Sequence, residues 1–261
     1  MPAIVRPQID LDAKRTEIKN AIDQMFTDFQ RNESHIDDQK QRVNRNLLLV
    51  GPSKSGKTTL KRVLNDPRYV AEDMFLHSSS DTKSSLESNI QPETVPVTLN
   101  IVELPEKMIN ATNDLSTIND ECARLGIHDF HMIGLCLSFD TGFDGIAIES
   151  FNRFLDYFGR EELKPNLCLI ITRCESKNIN QRQNLYNEAK QDVEFRKITQ
   201  YLGLDIHFSG ALNRDKWNQA NDAVYDQFET VYEYRKDLLQ LIAKDIKPFH
   251  IEARLSSSIP R

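Results

Sequence analysis

Gly51-Pro52-Ser53-Lys54-Ser55-Gly56-Lys57-Thr58 is the stretch on which the fold turns. It satisfies the pattern G-x-x-x-x-G-K-[ST] at every fixed position. Leu47-Leu48-Leu49-Val50 before it reads as a short buried strand, and Thr58 to Leu64 after it reads as the opening turns of a helix. Glycine at both ends lets the backbone wrap closely around a phosphate, with the loop N–H groups turned inward at a helix N-terminus. The pattern predicts Lys57 on the β- and γ-phosphates and the Thr58 hydroxyl on Mg²⁺. The competing reading is a Gly-Ser surface turn beside an exposed lysine.

Size and composition bound the rest. At 261 residues the chain accommodates one α/β domain with extensions, or two small domains. A net charge of −6 implies no broad basic surface, so nucleic acid is not an expected partner. No apolar run approaches the roughly 20 residues needed to span a bilayer, and Met1 to Asp10 lacks the apolar core of a signal peptide. Neither a myristoylated glycine nor a prenylation cysteine is present at the ends of the sequence. Cys122, Cys136, Cys168 and Cys174 form no C-x-x-C pair, which suits a reduced, cytoplasmic setting. Cys168 and Cys174 have no histidine neighbours of the kind a zinc site needs.

Outward from the loop, the pattern divides the chain into three. Residues 1–44 read as a helical extension, 45–213 as the α/β domain, and 214–261 as a C-terminal helix and tail. In the first part Ile18, Ala21, Ile22, Met25, Phe26 and Phe29 make one apolar stripe, which either docks on the domain or meets a partner. Arg31 to Arg45 stays helix-compatible without the stripe. Arg68 to Ser85 is Ser-rich and reads as a loop. Strands are expected at Val95–Val102, Met132–Ser138, Leu167–Ile171 and Leu204–Phe208. Helices are expected at Leu115–Leu125, Ile146–Phe158, Gln181–Leu202 and Trp217–Ile246, with Gly159 capping the second. Strands alternating with helices predict a mostly parallel sheet covered on both faces, with long terminal helices added. In such sheets a ligand sits beyond the carboxyl ends of the strands.

The strand ends carry further candidates. Val95–Val102 runs into Glu103-Leu104-Pro105-Glu106, where Glu103 offers the acidic group that holds a Mg²⁺ water shell. An exposed loop carboxylate is the alternative there. Leu167–Ile171 runs into Thr172-Arg173-Cys174-Glu175. A carboxylate at that point can accept from guanine N1–H and its 2-amino group, a donor pair adenine lacks. Leu204–Phe208 runs into Ser209-Gly210, small enough for backbone N–H groups to approach a base oxygen. His207 lies in that last strand, where a structural role and a place at the base pocket are both open.

These strand ends, in this order, resemble those of the GTPases of immunity-associated proteins, whose AIG-type G domain is related to the chloroplast-import receptor GTPases. The phosphate loop matches over Gly51 to Thr59, the Thr-Arg-x-acidic motif over Thr172 to Glu175, and Ser209-Gly210 is similar to the import receptors' base loop. The segment from Phe139 to Gly159 resembles a further hallmark. The resemblance implies a P-loop NTPase G domain that binds GTP or GDP with Mg²⁺. Gly51, Pro52, Ser53, Lys54, Ser55, Gly56, Lys57, Thr58 and Thr59 would hold the phosphates, and Thr172, Arg173, Glu175, Ser209 and Gly210 the base. Thr58 and Thr82 would ligate the metal. Thr82, in a switch-like Asp81-Thr82-Lys83-Ser84, and Glu103 are the candidate catalytic residues. GTP-dependent homodimerisation is the implied assembly.

Two departures bear on turnover. Members of the family usually show Asp-Thr-Pro-Gly where this chain has Glu103-Leu104-Pro105-Glu106, and often an arginine where Gly142 stands. Glu106 puts negative charge near the γ-phosphate, and the missing arginine removes a candidate charge stabiliser. Slow GTP hydrolysis is therefore expected. An ATP-using P-loop enzyme and a non-hydrolysing scaffold are the alternatives that the sequence leaves open.

Overall fold

The computed structural model describes residues 10–33, 42–72, 86–90, 97–110, 113–141 and 145–251. In chain order, α1 (Leu11–Glu33) precedes β1 (Val43–Val50), the phosphate loop and α2 (Lys57–Asn65). Next come β2 (Leu86–Ile90), β3 (Val97–Glu103), α3 (Ser116–Leu125), β4 (Asp129–Phe130), β5 (Met132–Ser138) and α4 (Gly145–Phe158). The chain continues through α5 (Arg160–Leu163), β6 (Leu167–Thr172), α6 (Ile179–Gln191), α7 (Val193–Thr199) and β7 (Ile206–Phe208). It closes with α8 (Arg214–Asn218), α9 (Ala223–Ala243) and β8 (Phe249–His250).

Six strands form the main sheet in the order β2-β3-β1-β5-β6-β7. All neighbours are parallel except β2, which adds an antiparallel edge to β3. The α/β class and mostly parallel sheet expected from the sequence are thus what the chain adopts. The side-chain alternation of β1 explains the two covered faces. Leu48 and Val50 point into a core shared with α3, α4 and α7, including Ile118, Phe151, Phe154 and Phe195. Leu47 and Leu49 point the other way, onto Leu60 and Leu64 of α2 and Leu238 and Ile242 of α9. Both faces being buried is why these strands read as continuous apolar runs.

α1 docks away from the sheet. Ile18, Ile22 and Phe26 are buried against Val224, Phe228 and Tyr232 of α9, and Phe29 stacks on Phe228 at 6.0 Å between ring centroids.

Several boundaries differ from the sequence reading. β1 starts at Val43, inside the stretch read as helix-compatible. Its polar first half pairs with β3, Val43 opposite Val97, so ladder bonds rather than apolar burial hold it. β2 was not expected at all. β7 starts at Ile206, after Asp205 takes a left-handed φ of 61°. The helix expected over Gln181–Leu202 is two helices. Asp192 ends α6, its N–H bonding Glu188 O, and its side chain accepts the Phe195 N–H at 2.7 Å to start α7. The final helix likewise begins as a separate short α8, and Ala220 turns the chain with φ 48° before α9.

Candidate functional site

The phosphate loop leaves β1 at the carboxyl edge of the sheet and enters α2 at Lys57. Gly56 sits at that entry with φ 86°, and a Cβ there would lie 2.7 Å from Thr172 Oγ1. Only glycine meets both demands. Lys54 holds φ 62° without being glycine, a strained backbone at the loop crown. Gly51, Ser55 and Lys57 are buried, Pro52, Gly56 and Thr59 half-buried, and Ser53, Lys54 and Thr58 exposed. The Lys57 ammonium folds under the loop, donating to Gly51 O at 2.7 Å and Pro52 O at 2.8 Å. Burial lowers its pKa, against the opposing pull of acidic neighbours that include Glu103 and Glu106.

One turn along, the Thr58 hydroxyl donates to Glu103 Oε1 at 2.6 Å. The other carboxylate oxygen, Oε2, is buried without a hydrogen-bond partner among the described residues. Lys61 Nζ stands 3.8 Å from it. An exposed hydroxyl whose proton is already given away, beside a carboxylate with unused acceptor capacity, is a hard oxygen donor set of the kind Mg²⁺ takes. The residues present therefore fit the ion. Thr82, the other sequence candidate for this corner, lies outside the described residues, as does Gly142. Glu106 is exposed and opens a short 3₁₀ turn directly after β3.

The second half of the site is built from the ends of β6 and β7. Cys174 N–H donates to Ser209 O at 2.9 Å, and Ser209 N–H to Ile171 O at 2.8 Å, so the two strand ends stay in register past the sheet. Gly210 lies directly against Glu175. A Cβ on it would come within 2.7 Å of Glu175 N, Cβ and Oε2. Burial raises the Glu175 pKa and Asp140 pushes the same way, while the Ala211 backbone N–H and Arg173 oppose. Arg173, with φ 61°, reaches Asp140 at 2.6 Å. Lys177 Nζ stands 3.8 Å over the Phe139 ring. Tyr234 of α9 donates to Cys174 O at 3.0 Å, fixing the loop from beneath.

Thr172 joins the halves. Its buried hydroxyl donates to Ser55 O of the phosphate loop at 2.8 Å. Thr172 is therefore a tie between the loops, its hydroxyl engaged with the backbone of Ser55 and Leu137. His207 lies on β7 with Nε2 2.7 Å from Leu204 O, and burial lowers its pKa. The tie, Lys61, Lys177 and Tyr234 went unassigned from sequence, because each acts through a neighbour distant along the chain.

No family model matches the chain, and no curated protein matches it in sequence. Solved structures do resemble it. A dimerization-deficient mutant of Toc33 from Arabidopsis thaliana superposes with a TM-score of 0.52 at 12% identity, covering 92% of this chain and 95% of that one. Toc33 in complex with Mg²⁺ and GMPPNP gives 0.51 at 12% identity over the same shares. The likeness establishes that the chain shares the α/β fold of these structures over 92% of its length.

Proposed function

We propose that this chain binds guanine nucleotide with Mg²⁺ at the carboxyl edge of its sheet. The observation that carries the reading is the packing of Glu175 against Gly210, beside a complete phosphate loop to which Thr172 ties them. Gly51 to Thr59 surround the phosphates. Lys57 exchanges its bonds to the loop carbonyls for bonds to the phosphate oxygens. Glu175 accepts from the guanine edge, the Ser209-Gly210 backbone faces the base oxygen, and Arg173 lines the base side through its pair with Asp140. Thr58 holds the metal, and Glu103 orients its water shell; Thr82 completes the ligand set in the family pattern. The bound ion supplies charge neutralisation on the phosphates.

Toc33, solved with GMPPNP and Mg²⁺, supplies a precedent for this ligand on this fold. Its dimerization-deficient mutant and the resemblance to AIG-type G domains support a GTP-dependent homodimer across the nucleotide face in this protein too. A cytoplasmic protein with an N-terminal extension over 1–44, a G domain over 45–213 and a C-terminal helix over 214–261 is the organisation we adopt. Turnover is slow in this reading. Glu106 is exposed and in the family pattern its position meets the γ-phosphate; Gly142 stands where members often have an arginine, a group typically worth about 10³–10⁵ in rate. The same carboxylate favours the second reading, a nucleotide-bound scaffold without hydrolysis.

Titration with fluorescent GTP and ATP analogues tests the proposal. Guanine analogues should bind at least about tenfold more tightly, and Lys57→Ala should abolish binding of both. Equal affinity for ATP, or undiminished binding by Lys57→Ala, overturns it. Single-turnover phosphate release separates a slow GTPase from the scaffold.

A further inference from the structure

Lys61 has no place in the phosphate-loop pattern, yet it occupies the metal corner. It lies on α2, one turn after Thr58, so its side chain falls on the same helix face. Its ammonium stands 3.8 Å from Glu103 Oε2, with Lys61 and Glu103 side chains only 14% and 12% exposed. Glu103 is one methylene longer than aspartate. That length lets Oε1 reach the Thr58 hydroxyl at 2.6 Å while Oε2 faces Lys61. The carboxylate that would attract a divalent ion thus already faces a cation carried on the same helix as Thr58, at ion-pair distance and without a hydrogen bond.

We propose that Lys61 is a built-in cation at the metal corner that supplies part of the positive charge Mg²⁺ would bring, so that nucleotide affinity depends on the ion far less than the Thr58–Glu103 donor set alone implies, although the ion can still bind there. The inference rests on the nucleotide reading above. Two consequences follow from charge alone. With Lys61 in place, Glu103 pulls weakly on a divalent ion. With Lys61 removed, the carboxylate stands unpaired at low exposure, attracts Mg²⁺ more strongly, and repels phosphate when the ion is absent.

The test is nucleotide affinity with and without the ion, read by equilibrium binding of a fluorescent GDP analogue in millimolar Mg²⁺ and in excess EDTA. For the native protein the dissociation constant should change by less than about threefold between the two. Lys61→Met and Lys61→Gln should bind in Mg²⁺ but weaken by about tenfold or more in EDTA. Lys61→Arg, which keeps the charge, should behave as the native protein. Thermal melts of each variant confirm folding. A native affinity that falls tenfold or more in EDTA overturns the proposal, as do Met and Gln variants that remain indifferent to the ion. Failure to bind GDP in either buffer sinks the nucleotide reading itself, a different result from strong binding that needs Mg²⁺.

Discussion

Gly210 and Glu175 touch so closely that a single methyl separates two outcomes. In Gly210→Ala the new Cβ meets Glu175 at backbone and carboxylate. The expected cost is about 1–3 kcal/mol of stability, with guanine preference lost and phosphate-driven affinity largely kept. Denaturant melts and paired GDP and ADP titrations read the two effects. Glu175 also gives a pH signature. Its pKa is raised, so the carboxylate takes up a proton at higher pH than an ordinary glutamate, and only the ionised form accepts both guanine donors. Preference for GDP over ADP should therefore decline on acidification before the usual carboxylate range is reached, and rise again with alkali. A preference flat through that window excludes Glu175 from base recognition. At this scale the phosphate loop was legible because its pattern is local, eight consecutive residues with fixed roles. The proposed base corner was legible only as an order of strand ends. Lys61 stayed hidden because its partner Glu103 lies on β3, far along the chain, and helical spacing alone marks it as one more solvated lysine.

The elements carry their own tests. α1 is held by α9, with Ile22 2% exposed at the centre of the contact. Ile22→Ala should cost about 2–5 kcal/mol in a chemical denaturation experiment, and a neutral result would mean that the helix contributes little to the folded state. Asp192 ends one helix and begins the next, so Asp192→Ala should cost about 1 kcal/mol through α7 alone. The apolar stripe of α1 was visible in the sequence; its seat was not, since a stripe shows that a face is buried and not what buries it. The broken helices over 179–199 and 214–243 were missed for a related reason. Helical periodicity survives across a single capping residue, and the break is made by side-chain capping at Asp192 and a left-handed turn at Ala220, which hydropathy does not register. The first half of β1 was missed because its polar residues gain pairing rather than burial.

Across the whole molecule, the layers around the sheet shield every cysteine. All four are buried, and burial pushes Cys122, Cys136 and Cys174 up to about 12 and Cys168 well above its ordinary value. The native protein should therefore leave a thiol-specific chromogenic reagent uncoloured at mildly alkaline pH, and release four equivalents once unfolded. Reaction of any thiol in the native state would show that one of the layers opens. α9 binds these layers together. Its face carries Leu238 and Ile242 into the sheet, its back carries α1, and the buried Arg235 donates to Leu64 O at the end of α2. The helix that begins in the phosphate loop is thereby joined to both terminal helices.

The hydroxyl bridge from Thr172 to Ser55 acts as the rivet of a caliper. In the nucleotide reading proposed above, one jaw takes the base and the other the phosphates, and the gap between them is set before any ligand arrives. A nucleoside without its phosphates, or a polyphosphate without its base, engages one jaw only.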